Sequence, residues 1–425
     1  MNPLKITFLS LVLVGTFSSN LYAQFTLSAQ LRPRMELRKG YRIPQSESSK
    51  AAFFVSQRTR LKFGYQHEIL EIFVSLQDVR TWGDQLQLTD VASFSMHQAW
   101  LKLKMAKGLF IRVGRQEFVY DEHRLLGNVN WVQQARSHDA ILLIFKKGKW
   151  KLDAAGAFNQ LSENVFSTEY VTNNYKALIF ARGEKKIGEN ATLVVTGIAD
   201  AFERDTVDRE LFWRYTYGSY FKFNKKGVSL VLSAYGQQGE TRGGAALYAF
   251  MANARIGYAI KKMALNVGVD FVSGDNPNDA KYQAFNTLYA TNHKFYGFMD
   301  YYLSIPNDTK GGGLQDYFFN LNYMPTDKIA LKLYYHQFLL ANTVYKTAFN
   351  EVKKNLGSEV DFVLVYNIKP YIGLQVGGSA YIPTNTTEYI KGGSQNKISG
   401  WGWVMLNATP QLFKSKTKKE KEEIL

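Results

Sequence analysis

The sequence predicts an all-β protein, a transmembrane antiparallel up-and-down β-barrel of about 18 strands. Apolar and polar residues alternate with period two along most of the chain, for example over residues 53–66 and 265–271, as in strands with one apolar face. Short turns alternate with long connections between these runs, which is the layout of outer-membrane barrels. Beyond the first residues, no apolar run approaches the length of about 18 residues that would predict a membrane helix.

We expect a cleaved signal peptide at residues 1–23, ahead of a barrel over residues 24–413. A basic residue precedes an apolar stretch of about a dozen residues at 6–17, and Ala23 is a small residue at the expected cleavage point. This is the pattern of a secreted bacterial protein. Residues 414–425 are densely charged, and we interpret them as a solvated C-terminal tail.

The spacing of the alternating runs gives the number of strands. Short turns are predicted at 66–68, 105–108, 146–149, 185–190, 224–227, 261–262, 325–328 and 367–370. Longer connections are predicted at 39–51, 81–93, 119–135, 160–173, 204–209, 239–247, 274–313, 341–353 and 382–396. A soluble β-sandwich alternates in the same way. Aromatic residues such as Tyr65 and Tyr258 at the ends of the apolar faces, and a last strand that closes on Phe413, favour the barrel.

The first predicted strand shows which side of the barrel carries charge. Leu31 and Met35 alternate with Arg32, Arg34 and Glu36. Facing a midplane arginine toward lipid costs about 2–4 kcal/mol, so the charged side chains are expected to point into the lumen. Arg38 continues this alternation in the first strand. The same rule applied to the later strands places further cations on the inner face: Arg58, Arg60, Lys62, Lys102, Lys104, Arg112, Arg214, Lys222, Arg255 and Lys332.

Carboxylates on the predicted inward face are fewer than the cations. Glu36 and Asp270 are the clearest, followed by Asp200 and Asp316. The whole chain carries a net charge of +16, from 52 Lys and Arg against 36 Asp and Glu. A cationic lumen concentrates anions and repels cations, so these residues predict an anion-selective pore.

Several ordered blocks of sequence resemble the alginate export outer-membrane family. They include LRPRMELR (31–38), SQRTRLKFGY (56–65) and the run VGRQEFVYDEHRLLGNVNWVQQARSHDA (113–140). The resemblance implies an 18-stranded barrel in the bacterial outer membrane that exports an acidic polysaccharide through a constriction lined by arginines. Matched by motif, the candidates are Arg32, Arg34, Arg58, Arg60, Arg80, Arg115, Arg124 and Arg136. Arg80 and Arg115 break the alternation of their own strands, so a lumenal position for them requires a bulge or a loop.

The predicted function is a channel that passes an alginate-like polyuronate or related anions by passive diffusion. The alternative is a substrate-specific porin for small carboxylates or other small anions. Outer-membrane lipid and periplasmic export or synthesis proteins are the expected partners, with no nucleic acid and no cofactor. We expect no enzyme, because no GxSxG or HExxH motif is present and the neighbours Ser137, His138 and Asp139 would alternate between faces of a strand.

The longest connection, residues 274–313, is predicted to fold into the lumen and to place Lys294 and Asp300 near the passage. Asp275 and Asp279 are weak candidates for a structural calcium ion, although their spacing fits turn chemistry better than an EF-hand loop. Most aromatic residues are expected to form the membrane girdle. The possible stacking platforms for sugar rings inside the barrel are Trp82, Trp100 and Trp131.

Overall fold

The protein forms a closed 18-stranded antiparallel β-barrel. The computed structural model describes residues 23–166, 174–204, 209–347 and 350–415; the predicted signal peptide and most of the predicted tail lie outside them. The strands are β1 (Gln24–Lys39), β2 (Ala52–His67), β3 (Leu70–Thr81), β4 (Ser95–Ala106), β5 (Leu109–Gln116), β6 (His138–Lys147), β7 (Trp150–Phe158), β8 (Ala177–Ile187), β9 (Ala191–Glu203), β10 (Leu211–Lys225), β11 (Val228–Glu240), β12 (Ala246–Ile260), β13 (Met263–Val272), β14 (Leu314–Thr326), β15 (Ile329–Leu339), β16 (Tyr345–Thr347), β17 (Asn350–Glu351), β18 (Asn355–Lys369), β19 (Ile372–Pro383), β20 (Ser399–Ala408) and β21 (Gln411–Lys414).

The chain closes the barrel by pairing its two ends. β1 pairs with β2 on one side and with β20 and β21 on the other, so β20 and β21 together form the last strand. Every other barrel strand pairs with its neighbours in sequence, whereas β16 and β17 form a separate hairpin within a loop. The connections of two or three residues between consecutive barrel strands lie at one end, here called the short-turn end, and the opposite end is called the loop end. The predicted fold is confirmed.

The side-chain alternation places apolar residues outside and charged residues inside. In β1, Leu31 and Met35 are 43% and 41% exposed, whereas Arg32 and Arg34 are 5% and 4% exposed. Outward apolar side chains are expected where the solvent is lipid hydrocarbon. The polar backbone of each strand is satisfied by its neighbours, which is what a lipid environment requires.

Two long connections fold into the barrel. Residues 117–137 bury Phe118 and Leu126, and residues 274–313 bury Phe285 among other side chains. The two segments also join each other through backbone hydrogen bonds. We call these two segments together the plug.

The junction within the plug resembles a short stretch of parallel sheet. The amide of Gly127 donates to the carbonyl of Tyr289 at 2.9 Å, and the amide of Tyr289 donates to the carbonyl of Leu125 at 3.0 Å. The amide of Thr291 donates to the carbonyl of His123 at 3.0 Å. These bonds satisfy backbone groups that would otherwise be buried without partners.

One short helix packs beside the plug at the loop end. Helix α1 (Asn385–Lys391) begins with a capping box formed by Thr384 and Thr387. Its Lys391 ammonium lies 2.6 Å from the Asp308 carboxylate in the plug. Within the described residues, no helix has the length and apolar character needed to cross a membrane.

Substitutions at two adjacent residues near the middle of β13 test which face of the barrel wall meets lipid. Val267 is exposed on the outer face and Asn266 lies on the inner face. Val267→Arg should lower the free energy of unfolding by about 2–4 kcal/mol, because it places a charge in hydrocarbon. Asn266→Arg should change it by less than about 1 kcal/mol, because the lumen is wet. Guanidinium unfolding in lipid bilayers measures both, and equal losses would contradict the assigned orientation.

Candidate functional site

Three arginines stand side by side on the lumenal faces of β1 and β2. The strand register pairs Arg32 with Arg58 and Gln30 with Arg60. All three guanidinium-bearing side chains are buried. Within the described residues, none of the three has a carboxylate within ion-pair distance. Their positive charges are therefore not neutralised by a direct partner.

These arginines hold the plug against the barrel wall through neutral acceptors. Arg32 donates to the carbonyls of Asn130 at 2.8 Å and Val132 at 3.0 Å, and to the Gln133 side chain at 2.8 Å. Arg58 donates to the Gln133 carbonyl at 3.3 Å. A guanidinium offers five N–H donors, which suits it to a loop whose buried carbonyls need partners.

Trp131 of the first plug segment contacts both Arg34 of the barrel wall and His293 of the second plug segment. The Arg34 guanidinium lies 4.3 Å from the centre of the Trp131 ring and donates to its carbonyl at 2.8 Å. The His293 ring stacks on Trp131 with 4.5 Å between centres. Of the other tryptophans considered, Trp100 stacks on Phe73 near the lumen. Trp82 is exposed and has no lumenal contact in the described residues.

Two arginines of the plug bind other parts of the interior. Arg124 is buried, pairs with Asp270 of β13 at 2.8 Å and lies 3.7 Å from the centre of the Phe295 ring. Arg136 donates to the carbonyls of Tyr289, Ala290 and Gly127, and so ties the two plug segments together. Both side chains therefore stabilise the plug. Arg124 links it to β13, and Arg136 links its two segments to each other.

A third contact attaches the plug to β12. The Arg255 guanidinium donates to the Glu122 carboxylate at 2.9 Å, and Lys222 lies 3.9 Å from the same carboxylate. Burial opposes ionisation of Glu122, but the Arg255 charge outweighs burial, and the net effect is to lower the pKa of that carboxyl below its usual range. One carboxylate thus faces more than one cation here.

The remaining candidates on the inner face differ in their partners. Arg34 and Arg38 share the single carboxylate of Glu36, at 2.8 and 2.7 Å, so one of their two charges is offset. Arg214 pairs with Asp200 at 2.5 Å. Arg112 donates to the neutral Gln116 side chain, and it and Lys62 form no ion pair within the described part of the chain. Arg60 contacts Gln77 at 3.0 Å. The field of the lumen therefore comes from a subset of its cations.

Arg80 and Arg115 lie on the outer face of the barrel, although the sequence analysis predicted lumenal positions for both. The β2–β3 register is continuous and places Arg80 on the outer face, where it pairs with Asp78 at 2.7 Å. Arg115 shares the outward face of β5 with Val113 and pairs with Asp139 at 2.8 Å. No bulge turns either side chain inward. The motif match identified both residues but carried no information about the face, so their lumenal assignment is wrong.

The sequence analysis overlooked a group of buried carboxylates on β18. Glu359 accepts from the amide of Met299 at 2.7 Å, and Asp361 accepts from Ser379 at 2.5 Å. A side-chain carbon at Gly297 would lie 2.5 Å from the Glu359 carboxylate, so the plug can approach this closely only with glycine there. The alternation SEVDFV contains the signal for these residues, since Val360 points outward.

Other expected features occupy ordinary positions. Asp275 accepts from the amide of Gln283 at 2.9 Å, and Asp279 accepts from the amide of Lys281 at 3.0 Å, as turn residues do. No group of three or more potential metal ligands occurs within the described ranges, and a calcium ion stays a prediction. His138 is buried while Asp139 is exposed, so these neighbours lie on opposite faces of β6.

The two charged plug residues that were expected near the passage differ in burial. Lys294 is exposed, and its ammonium donates to the Glu122 carbonyl at 3.2 Å. Asp300 is buried, 2.6 Å from the His293 ring nitrogen, and accepts from the Tyr41 hydroxyl. Only Lys294 is therefore available to a molecule in the lumen.

Comparison with known proteins assigns the family. A model of the family described as alginate export matches residues 23–400. The chain belongs to the alginate export family. As a member of this family with a closed barrel, it is an outer-membrane channel protein of bacteria. No curated protein matches the chain.

Solved structures share the fold of this alginate export family member at low sequence identity. OpdO of Pseudomonas aeruginosa has a TM-score of 0.61 at 14% identity, over 92% of this chain and 98% of that chain. OpdL of the same organism has a TM-score of 0.61 at 12% identity, over 92% and 99%. OpdK of the same organism, solved with vanillate, has a TM-score of 0.59 at 11% identity, over 92% and 98%.

The Arg124–Asp270 pair provides a test of how the plug is anchored. Arg124→Met should lower the free energy of unfolding by about 3–5 kcal/mol, because it leaves Asp270 buried and uncompensated. Adding Asp270→Asn should recover most of that loss. Arg115→Met removes an exposed pair and should cost less than about 1 kcal/mol. Chemical unfolding in detergent compares the three variants, and a loss in Arg124→Met no larger than in Arg115→Met would contradict the anchoring role.

Proposed function

We propose that this barrel is an anion-selective channel that passes an acidic polysaccharide of the alginate type by passive diffusion. The observation that supports it most strongly is the row of Arg32, Arg58 and Arg60, whose partners are neutral carbonyls and amides. A hydrogen bond to a carbonyl leaves the charge of the guanidinium in place. Fixed cations along a lumen favour anions and exclude cations.

The distribution of charge along the barrel axis supports transport from the periplasm outward. Inward lysines lie in the short-turn half, among them Lys62 and Lys332. Buried carboxylates such as Asp316 and Glu359 lie near the loop end. Short turns face the periplasm in outer-membrane barrels, so an anion arriving from the periplasm meets cations first.

The proposal includes partners that act outside the barrel. A passive channel needs a gradient or ongoing synthesis to give transport a direction, so periplasmic export or synthesis proteins belong to this proposal. A cleaved signal peptide at residues 1–23 would bring the chain to that compartment. The proposed function requires no cofactor and no catalytic step.

Neutralising lumenal cations tests the proposed selectivity. The double variant Lys62→Gln with Arg112→Gln should lower the chloride-to-potassium permeability ratio by several-fold, because each charge contributes about 1 kcal/mol in a wet pore. The double variant Arg80→Gln with Arg115→Gln removes the same net charge from the outer face and should leave the ratio unchanged. Reversal potentials across a KCl gradient in planar bilayers measure both. Cation selectivity of the unmodified protein would overturn the proposal.

A substrate-specific porin for small carboxylates is the second candidate. The plug occupies the lumen and leaves a cavity of about 410 Å³ beside it, a volume in the range of small-molecule sites. The similarly folded OpdK was solved with vanillate, a small carboxylate. These two observations are the grounds for this second candidate.

Permeation by size separates the two candidates. For polysaccharide export, proteoliposomes should release trapped oligouronates of several units as well as monomeric glucuronate, because a channel for a polymer must admit the chain end-on. Neutral oligosaccharides of matched length are the control and should be released more slowly, since the lumen attracts only anions. Release of glucuronate together with retention of every longer uronate would favour the small-carboxylate porin.

A further inference from the structure

We infer that the outer wall of the barrel holds a binding site for one anionic phospholipid of the periplasmic leaflet. The site lies near the short-turn end and crosses β6, β7, β8 and β9. It combines a row of three side chains, Lys147, Trp150 and Lys185, here called the lysine row, with an apolar groove beside that row. This surface meets lipid, so the site is independent of what passes through the lumen.

The two lysines of the row flank Trp150 on the outer face of the sheet. The strand register pairs Trp150 with Lys147 on β6 and with Lys185 on β8, and directly paired residues of antiparallel strands share a face. Lys147 continues the outward side of β6, on which Leu143 is 47% exposed. The Lys185 ammonium lies 4.7 Å from the centre of the Trp150 ring. The three side chains therefore stand side by side on the wall, and an outward tryptophan near the strand ends marks the level of the lipid headgroups.

Both lysine charges are available to a ligand in the membrane. Lys147 and Lys185 are exposed, and within the residues that the structure describes neither ammonium has a carboxylate at ion-pair distance. The Glu184 carboxylate lies on the inner face, where it accepts from Arg182 at 2.8 Å. Glu189 is exposed in the turn between β8 and β9 and pairs with neither lysine. A phosphate between the two ammonium groups would therefore be attracted by both.

An apolar groove of about 680 Å³ lies directly beside the lysine row on the same face. One step of two residues along the strands from the row, or about 7 Å, Gly183 lies between Leu152 and Val195. One step farther, Ala181 lies beside Gly197. These small residues leave a depression between larger side chains, and in the described structure a side-chain carbon at Gly197 would meet no atom beyond its chain neighbours within 4 Å. An acyl chain in the groove fills this space and gains dispersion contacts.

The lysine row and the groove together select an anionic phospholipid. A zwitterionic headgroup carries an ammonium group that the lysines repel, which offsets their attraction for its phosphate. A soluble phosphate ester has no hydrocarbon chain for the groove. The short turns face the periplasm, so the lysine row lies at the inner leaflet of the outer membrane, which contains phospholipids. An anionic phospholipid of that leaflet is therefore the molecule whose charge and chain both match the site.

Native mass spectrometry of the purified protein, released from a neutral detergent, tests the site with defined lipids. One phosphatidylglycerol should be retained at least about fivefold more tightly than phosphatidylethanolamine with the same acyl chains, because each lysine near the headgroup attracts its net negative charge. Glycerol phosphate carries the phosphate without the acyl chains and should not displace the bound lipid.

Two variants and one matched control locate the bound lipid. Lys147→Gln with Lys185→Gln should lower the affinity for phosphatidylglycerol at least about fivefold, to that for phosphatidylethanolamine. Lys328→Gln with Lys369→Gln removes two exposed lysines from short turns on the opposite side of the barrel and should leave the affinity within about twofold. Gly197→Leu fills the groove with a side chain that has room there, and should weaken the binding of both lipids without changing the preference between them.

Equal weakening by the two double lysine variants would overturn the site, because the attraction would then come from the general charge of the short-turn end. Equal affinity of the unmodified protein for the two lipids would also overturn it, as would displacement by glycerol phosphate or unchanged binding in Gly197→Leu. Loss of the preference only in the lysine-row variant, together with weaker binding of both lipids in Gly197→Leu, would support it. None of these results depends on the ion selectivity of the channel, which the reversal potentials measure separately.

Discussion

The structure depends on the requirement that every backbone N–H and C=O group within a lipid bilayer has a partner inside the protein. A sheet meets this requirement only by closing, and here β1 closes it by pairing with β20 and β21. Closure fixes which face of each strand is inside. Since side chains alternate strictly, the position of Leu31 in lipid forces Arg32 into the lumen. The charge of the channel therefore follows from the closure of its backbone.

The requirement that buried backbone groups have hydrogen-bond partners also applies inside the barrel. The plug brings irregular backbone into the interior, and its carbonyl groups need donors. Arg32 and Arg58 supply them from the wall. Because a carbonyl is neutral, this pairing positions the loop without cancelling the charge. A carboxylate partner does cancel it, as in Arg214–Asp200. Counting arginines in the lumen thus overestimates its field.

Much of the fold can be read from the sequence because its signals are local. Alternation and turn residues lie within a few positions of each other, so the strand number and the positions of the short turns agree with the structure. The plug contacts could not be derived this way, since the partners of Arg32 lie about a hundred residues away. Arg80 and Arg115 show a different limit. Motif similarity identifies a residue but does not determine the face of its strand. The carboxylates Glu359 and Asp361 follow from alternation, because Val360 between them points outward.

The acidic and basic groups of the interior perform different roles. The buried carboxylates near the loop end accept hydrogen bonds or ion pairs from the plug and from neighbouring strands, as in Glu359 with Met299 and Asp270 with Arg124. Asp270 pairs with a cation, whereas Glu359 is buried, and its contact with Met299 is a hydrogen bond from a neutral amide. The lysines of the short-turn half, in contrast, include side chains without a carboxylate partner in the described structure, such as Lys332. Carboxylates that are buried and paired contribute little field at a distance, because their charge is offset locally. The net field of the lumen therefore depends on the groups without an oppositely charged partner in the described structure, cations such as Lys332 and carboxylates such as Glu359, rather than on the count of either sign.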